Sequence, residues 1–306
     1  MDRHEPDDIS LHRLRILVAV VDQGGYSAAA DHLGLSQPSV SYHVRSLEGA
    51  LGASLVIYRE RSIHLTPEGE EVYRAARTIL NEGDRLGETI ARMHGGQAGR
   101  IAFGASIAFE HQFFFDLVVA PYAREHPDVH FSLRFAHSID LVEGVSTGAL
   151  DMAYVNDWQI PIDLEFERLH HSDLIFLAAE DHPLTSRPTV TASDISEAGL
   201  IIAPIESGEV ISYHEMLRRC GIRNPRAMIE VDGIQARKLA AHSGLGVLAT
   251  FAPLYAGDNA MEPLRTLKLS GETPRIEFGM ITRGGRPWTP LMDDMGIWLR
   301  SVTTRG

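Results

Sequence analysis

Hydrophobic positions in the first ninety or so residues recur with helical spacing, interrupted by turn residues. Leu14, Leu17, Val18 and Val21 fall at i, i+3, i+4 and i+7, which predicts a helix over 10–22 that Gly24-Gly25 stops. Residues 24–46 read as two short helices joined by a tight turn. Ser27 is the expected N-cap of the first, and Gly34 offers the positive φ that ends it. Ser36 is placed to cap the second, with Pro38 in the first turn, where a missing N–H does little harm. Val40, Val44, Leu47 and Leu51 then share one narrow stripe. The opposite side carries Ser39, Tyr42, Arg45 and Ser46, with Gln37 at the open N-terminal end. A small helix with one apolar side and only Gln, Ser, Tyr and Arg on the other suits insertion into a DNA major groove.

Two short extended runs follow, 55–58 and 63–66, around Arg59-Glu60-Arg61. They read as the β-hairpin wing of a winged helix. Arg59, Arg61 and His64 are then candidate phosphate contacts; the alternative is a solvated turn that holds two arginines. Thr66-Pro67-Glu68 starts a helix that runs to about residue 94. Val72, Ala76, Ile79, Gly83, Leu86, Ile90 and Met93 repeat at 4-3-4-3-4-3 spacing, a seam over three heptads. Two readings fit: a helix that dimerises along this seam, or an amphipathic helix lying on its own domain.

After a glycine-rich hinge at 95–99 the pattern changes to alternating strands and helices. Strands are expected at 101–104, 129–135, 150–155, 174–179, 200–203, 228–231, 245–250 and 276–282. Helices are expected at 113–125, 139–147, 210–220, 234–242 and 290–301. Such βα alternation predicts parallel sheets with helices on both faces, in two lobes with a cleft between them.

At 306 residues the chain is long enough for more than one core, and 44% hydrophobic with 23% charged residues is ordinary for a soluble protein. No apolar run approaches a membrane span, and the acidic, polar start does not read as a signal or transit peptide. Cys220 is the only cysteine, which excludes an intrachain disulfide and makes a cytoplasmic location the default expectation. The net charge of −13 is unusual for a nucleic-acid protein, but residues 9–66 hold five arginines against four acids.

The first 66 residues resemble the DNA-binding domain of LysR-type transcriptional regulators. The resemblance is carried by Leu14, Leu17, Gly25-Tyr26-Ser27, Ala29-Ala30, Leu33, Ser36-Gln37-Pro38-Ser39-Val40-Ser41, Leu47-Glu48, Leu51-Gly52, Leu55, Arg61, Leu65-Thr66-Pro67 and Gly69. Further pieces recur in the family's order: His126-Pro127-Asp128, Gly148-Ala149-Leu150-Asp151-Met152-Ala153, His182-Pro183-Leu184 and Gly244-Leu245-Gly246-Val247. The family usually has Phe where Val56 stands and Arg where Tyr58 stands, with Arg59 one position on; it often has Pro near Phe251. The resemblance implies a multi-domain fold: a winged helix-turn-helix over 1–66, a linker and dimerisation helix over 67–95, and a two-lobed α/β effector-binding domain, built like a periplasmic binding protein, over 96–306. It also implies a homodimer or homotetramer, arranged as a dimer of dimers, on an interrupted palindrome in double-stranded promoter DNA. A small-molecule effector would reposition the DNA-binding pairs, with RNA polymerase met only indirectly and no membrane involved.

Candidate DNA contacts are therefore Ser36, Gln37, Pro38, Ser39, Tyr42, Arg45, Arg59 and Arg61; candidate dimer contacts are Val72, Ala76, Ile79, Gly83, Leu86 and Ile90. In a two-lobed α/β domain ligands bind where loops at strand carboxyl ends meet helix N-termini. Those loops supply Ser106, Ile107, His137, Ser138, Pro204, Glu206, Ser207, Asp232 and Gly233. Free N–H groups and serine hydroxyls there favour an organic acid, whereas Glu206 and Asp232 favour a cationic, zwitterionic or hydroxyl-bearing effector; each serine is equally readable as a helix cap. No catalytic residue, metal site or cofactor is expected. The 15 histidines show no zinc spacing beside Cys220, and no nucleophile elbow, Walker loop or dinucleotide fingerprint occurs. The alternative function is a small-molecule-binding protein whose helix-turn-helix contacts another protein.

Overall fold

Four helices and a hairpin build the N-terminal unit. The computed structural model describes residues 9–59, 62–93, 99–107, 114–204, 210–223, 225–252 and 264–303. The chain divides into two compact units, one of Met1–Gly96 with Thr147–Ala149 and one of Gln97–Ser146 with Leu150–Gly306.

Helix α1 (Leu11–Asp22) is capped by Ser10, whose hydroxyl accepts from the Arg13 N–H at 3.3 Å. It is buried along two sides. Ile16 and Val20 pack with Ala29 and Ala30 of α2 (Tyr26–Leu33) and with Val40 and Val44 of α3 (Gln37–Leu51). Leu14 and Leu17 pack with Leu47, Leu55 and Ala76, the last from α4 (Pro67–Met93). The buried stripe is therefore wider than the periodicity predicted. Ile16 and Val20 are fully covered, while Val18 and Val21 are half-buried.

Helix α2 begins two residues earlier than a cap at Ser27 implies, so Ser27 lies exposed inside its first turn and Gly25 is the cap, with no side-chain bond. Tyr26 is drawn into the helix because its side chain packs on the α1–α3 core. Gly34 ends α2 with φ 66°, as its position after Leu33 predicted.

Strands β1 (Val56–Arg59) and β2 (Ser62–Leu65) form the antiparallel hairpin. Two contacts tie it to the helices. Glu48 near the end of α3 accepts from Leu55 N–H at 2.8 Å and from the Ser54 hydroxyl at 3.3 Å. The Thr66 hydroxyl caps α4 by accepting from Gly69 N–H at 2.9 Å and donates to the Ser54 carbonyl at 2.6 Å. At Gly69 an added Cβ would stand 1.9 Å from the Leu55 carbonyl oxygen, so only glycine lets α4 seat this closely.

The C-terminal unit is a mixed sheet rather than the parallel sheets expected. Strands β3 (Gly99–Ser106), β4 (Val129–Ala136) and β5 (Met152–Asn156) are parallel neighbours. A π-helical stretch, Phe114–Val119, runs into α5 (Ala120–Glu125) to link β3 and β4; α6 (Ser138–Thr147) links β4 and β5. Strands β7 (Leu200–Ile202), β8 (Ala227–Glu230) and β9 (Val247–Phe251) form a second parallel set. Their helices are α7 (Ala192–Ala198), α8 (Val210–Arg219) and α9 (Ile234–His242). Two antiparallel strands join the sets. The 16-residue β6 (Leu164–Ala179) pairs with β11 (Arg275–Arg283) up to Asp173 and with β9 from Leu174, while β10 (Leu264–Leu267) flanks its far end. Strand β11 also pairs with β5, and α10 (Pro290–Thr303) closes the chain over the first set.

The first half of β6 escaped prediction because it is charged: Glu165 and Arg168 are exposed and Glu167 is half-buried, so no apolar run or clean alternation marks the strand. Those charges are matched outside the core, with Arg300 gripping Glu167 through bonds of 2.6 and 2.8 Å. Among the described residues no helix is long and apolar enough to cross a membrane.

Candidate nucleic-acid interface and ligand cavity

Helix α3 separates its two sides as its sequence requires. Ser36 caps it by accepting from Ser39 N–H at 3.3 Å, and Pro38 occupies the first turn. Val40, Val44 and Leu47 are 0% exposed, whereas Tyr42 on the other side is 64% exposed. Ser36, Gln37, Pro38 and Arg45 are exposed too, and Ser39 is half-buried. Pro38, Tyr42 and Arg45 lie at i, i+4 and i+7, so they line one side of about two turns. At a rise of 1.5 Å per residue they span roughly 10 Å, close to the width of a major groove. His43, beside Tyr42, packs edge-on to His12 of α1 at 4.9 Å. Burial, then the neighbouring His12 and Arg13, hold its imidazole below the usual histidine range, so it contributes shape rather than charge at neutral pH.

The hairpin register separates Tyr58 from Arg59. Tyr58 opposes Ile63 and Arg59 opposes Ser62. Because side chains alternate, Tyr58 shares a face with Val56 and Ile63, which pack on the helical core. Arg59 lies on the opposite face with Ile57, Ser62 and His64; the Ser62 hydroxyl is 2.8 Å from His64 Nε2. Arg61 lies outside the described residues.

The seam of α4 is split. Ala76 is 0% exposed against α1 and the Leu55 turn, and Val72 is half-buried there. Ala76 thus has no surface to offer a partner and is removed from the dimer contacts: the first turns of the seam are used within the unit. Ile79, Leu86 and Ile90 are 45%, 64% and 45% exposed, with Gly83 open between them. An ionic cluster fastens the helix: Tyr73 donates to Asp22, and Arg77 stands 3.3 Å from the same carboxylate.

In the C-terminal unit a cavity of about 220 Å³ lies between the two strand sets. Its wall is mostly apolar, with Ile139, Val142, Leu174, Met216 and Phe251 among its residues, and Trp158 over one side. Polar groups come from Ser138, Asn156, Gln159, Tyr213, Thr250 and Arg237. No carboxylate lines it among the described residues. Arg237 is only 4% exposed, and Tyr213 8%. The Tyr213 hydroxyl donates to the Ile201 carbonyl at 3.4 Å; burial pushes its ionisation up to about 12, with Arg237 pulling the other way. The phenol therefore stays a donor. Trp158 and Gln159 belong to the turn between β5 and β6. Gln159 there adopts φ 55°, a left-handed conformation uncommon outside glycine. The Trp158 backbone N–H donates to Asn156 Oδ1 at 3.2 Å, and the Arg219 guanidinium lies 5.7 Å from the indole centre.

The loops named from sequence meet this cavity unevenly. Ser138 lines it, and its hydroxyl donates to Ser106, which is fully buried behind it. Ile107 is half-buried and its N–H bonds the Ala136 carbonyl. Pro204 is half-buried beside lining Ala203; Glu206 and Ser207 lie outside the described residues. Asp232 does not line the cavity: its carboxylate accepts from Gly233 N–H at 2.8 Å and stands 3.5 Å from His137 Nε2. The expected conflict between Asp232 and an anion is thereby removed. Sequence reading missed Arg237, Tyr213, Trp158 and Thr250. One signal was available: Ile234, Arg237, Lys238 and Ala241 form the buried i, i+3, i+4, i+7 stripe of α9, and two cations on such a stripe are anomalous. Cys220 sits in the apolar cluster of the second strand set, where burial pushes its thiol up to about 11.

Residues 11–70 match the model of the bacterial regulatory helix-turn-helix protein, lysR family, and residues 94–304 match the LysR substrate binding domain. Among curated relatives, the chain is 26% identical over 286 residues to the RuBisCO operon transcriptional regulator of Allochromatium vinosum, covering 92% of each. It is 32% identical over 192 residues to the uncharacterized HTH-type transcriptional regulator YnfL of Escherichia coli, which covers 62% of this chain and 64% of that relative. Similar solved structures include a full-length, singly substituted OxyR from Pseudomonas aeruginosa, at a TM-score of 0.67 with 19% identity and 96% of both chains covered. Full-length CbnR in complex with its target DNA gives a TM-score of 0.61 at 20% identity, over 97% of this chain and 99% of that one.

Proposed function

The chain belongs to the LysR family of bacterial transcriptional regulators, and from that premise we propose that it reads an interrupted palindromic promoter site as a dimer of dimers, under the control of an organic acid held in the cavity of its C-terminal unit. The observation that carries the DNA reading is the open side of α3, where Tyr42 and Arg45 stand exposed opposite a fully buried stripe. Gln37 from the first turn of α3 and Arg45 from its third read base edges. Arg59 and His64, on the outward face of the hairpin, take phosphate contacts. The exposed seam of Ile79, Gly83, Leu86 and Ile90 supports pairing of α4 with a second copy. The effector alters the spacing of the paired reading helices and so changes the contact with RNA polymerase indirectly. A protein acting on chromosomal DNA in this way works in the cytoplasm.

A mobility-shift assay on the DNA upstream of the coding sequence, run across a salt series, tests this reading. The expected result is a salt-sensitive complex. Gln37→Ala relaxes sequence preference by about 1–3 kcal/mol per half-site, whereas Arg59→Ala weakens all sequences alike and lowers the salt slope by about 1. If Gln37→Ala and Arg45→Ala both leave affinity and preference unchanged, α3 does not read the bases.

A further inference from the structure

We propose that this chain holds DNA through a proton-linked contact: His43, on the flank of α3 with His12 beside it, gains a proton as the helix seats between the phosphate backbones, so that affinity rises as pH falls. This rests on the reading of α3 as the helix that enters the major groove. Few fixed cations are available for the task. Over residues 9–66 the chain has five arginines, no lysine and four acids, but it also has four histidines: His12, His32, His43 and His64. Charging all four raises the formal charge of the segment from +1 to +5. Affinity for DNA follows the number of phosphates neutralised, so in such a segment histidine protons are a large part of the available grip.

Position singles out His43. At about 100° per residue it lies one step round α3 from Tyr42, between the open side and the buried stripe of Val40, Val44 and Leu47. A helix with its side chains is about 10–12 Å across and the major groove about 12 Å wide, so the flanks of an inserted helix stand against the groove walls, which are phosphate backbones. His43 is half-buried on this flank. Helix α1 supplies its neighbours: the His12 ring lies edge-on at 4.9 Å, and Arg13 is close enough to act on the imidazole. From α3 itself the Tyr42 ring stands at 5.5 Å. The Nδ1 of His43 is buried without a hydrogen bond, so the ring meets a phosphate oxygen through Nε2.

The direction of the effect follows from those neighbours. In the free protein burial, then His12 and Arg13, hold His43 below the usual 6.5, so the ring is uncharged near neutral pH. A phosphate at the flank supplies the opposite charge and raises the ionisation of the bound protein. With the bound value above the free one, the complex strengthens as pH falls through the bound value, and the gain is complete below the free value. One proton per reading helix is worth up to about tenfold in affinity per pH unit.

The test measures fluorescence anisotropy of two labelled duplexes with the full-length protein, from about pH 8 to about pH 6 at fixed salt. One duplex comes from the DNA upstream of the coding sequence; the other is its scrambled sequence. The parent should tighten on both, because a phosphate contact ignores sequence. In His43→Gln, which keeps a polar side chain that cannot charge, the ratio of Kd between the two ends of the range should shrink by at least about threefold. The salt slope of the parent should be steeper by about 1 per half-site at the acid end than at the alkaline end, and that difference should vanish in His43→Gln. His12 is exposed, and His12→Gln removes a like charge, so it should move the steep part of the profile to higher pH. If His43→Gln fails to fold, the profile of His12→Gln decides, and one that does not move overturns the proposal. Parallel profiles for the parent and both variants, with preference for the upstream duplex intact, overturn the proton linkage and leave the reading of α3 standing. A pH effect confined to the upstream duplex overturns the phosphate contact. No binding to either duplex at any pH overturns the reading of α3 together with the proposal.

Discussion

Gly69 and Gly83 lie on the same helix, and the same substitution should act on them with opposite sign. Glycine inside a helix costs roughly 0.5–1 kcal/mol relative to alanine, so Gly→Ala is favourable wherever there is space. At Gly83 nothing lies within 4 Å of the added Cβ, and the substitution should stabilise the folded unit by up to about 1 kcal/mol. At Gly69 the Cβ would stand 1.9 Å from the Leu55 carbonyl oxygen, against an ordinary contact of 3.4 Å or more. The neighbour is backbone, held by the Glu48 bond to Leu55 N–H and covered by the Thr66 cap, so it cannot swing aside as a side chain would. Overpacking of this kind costs about 1–3 kcal/mol or more. After the helix gain is deducted, Gly69→Ala should still destabilise by about 1–2 kcal/mol. For a unit of this size each kcal/mol moves the melting temperature by roughly 4–8 °C. Differential scanning calorimetry on the full chain should show the N-terminal transition fall for Gly69→Ala and rise for Gly83→Ala. A Gly69→Ala protein as stable as the parent would show that the Leu55 carbonyl does not confine this position.

Leu86 and His170 carry two further expectations. Leu86→Asp puts a charge in the middle of the exposed α4 seam and should lower the order of assembly seen by sedimentation velocity; an unchanged mass distribution means the seam is not an interface. His170 lies against both Tyr154 and Phe278, and burial lowers its ionisation below the usual 6.5. The unfolded chain then binds the proton first as pH falls, so stability contributed by the neutral ring at pH 7 is lost progressively below about 6.5 until the lowered folded value is reached. Urea midpoints measured from pH 7.5 to 5 should fall, and His170→Gln should flatten that fall; equal slopes for both proteins would remove His170 as its source.

The N-terminal unit was nearly all legible in the sequence, because each of its elements announces itself locally. Ser36, Pro38 and Gly34 mark helix ends by backbone chemistry, and Val40, Val44 and Leu47 mark a buried face by spacing alone. Ser27 misled for the same reason: its capping chemistry is sound, but Tyr26 packs on the core and draws the helix two residues back. The C-terminal unit was legible in most of its element order, α7 and β10 being missed, and not in its strand directions. The antiparallel joints depend on which strand lies beside β6, a long-range fact that no local pattern carries. The cavity was hardest to see. Serines at helix starts drew attention, but Arg237 lines the cavity from a helix that reads as ordinary unless its cations are counted against its stripe. The tension between an anionic ligand and Asp232 also dissolved only in three dimensions, where His137 and the Gly233 amide occupy that carboxylate.

Strand β6 changes neighbours between Asp173 and Leu174 without ending. Hydrogen-bonded registers clamp it on either side of that point, so neither strand set can slide along it without breaking a ladder. What remains soft is rotation about the strand: a change of twist or a slight bend where the ladders hand over. The two halves around the cavity are therefore joined like plates on a torsion bar. A ligand wedged between them would be felt as an angle, and the stiffness of the antiparallel strands that join the sets would set how large that angle can become.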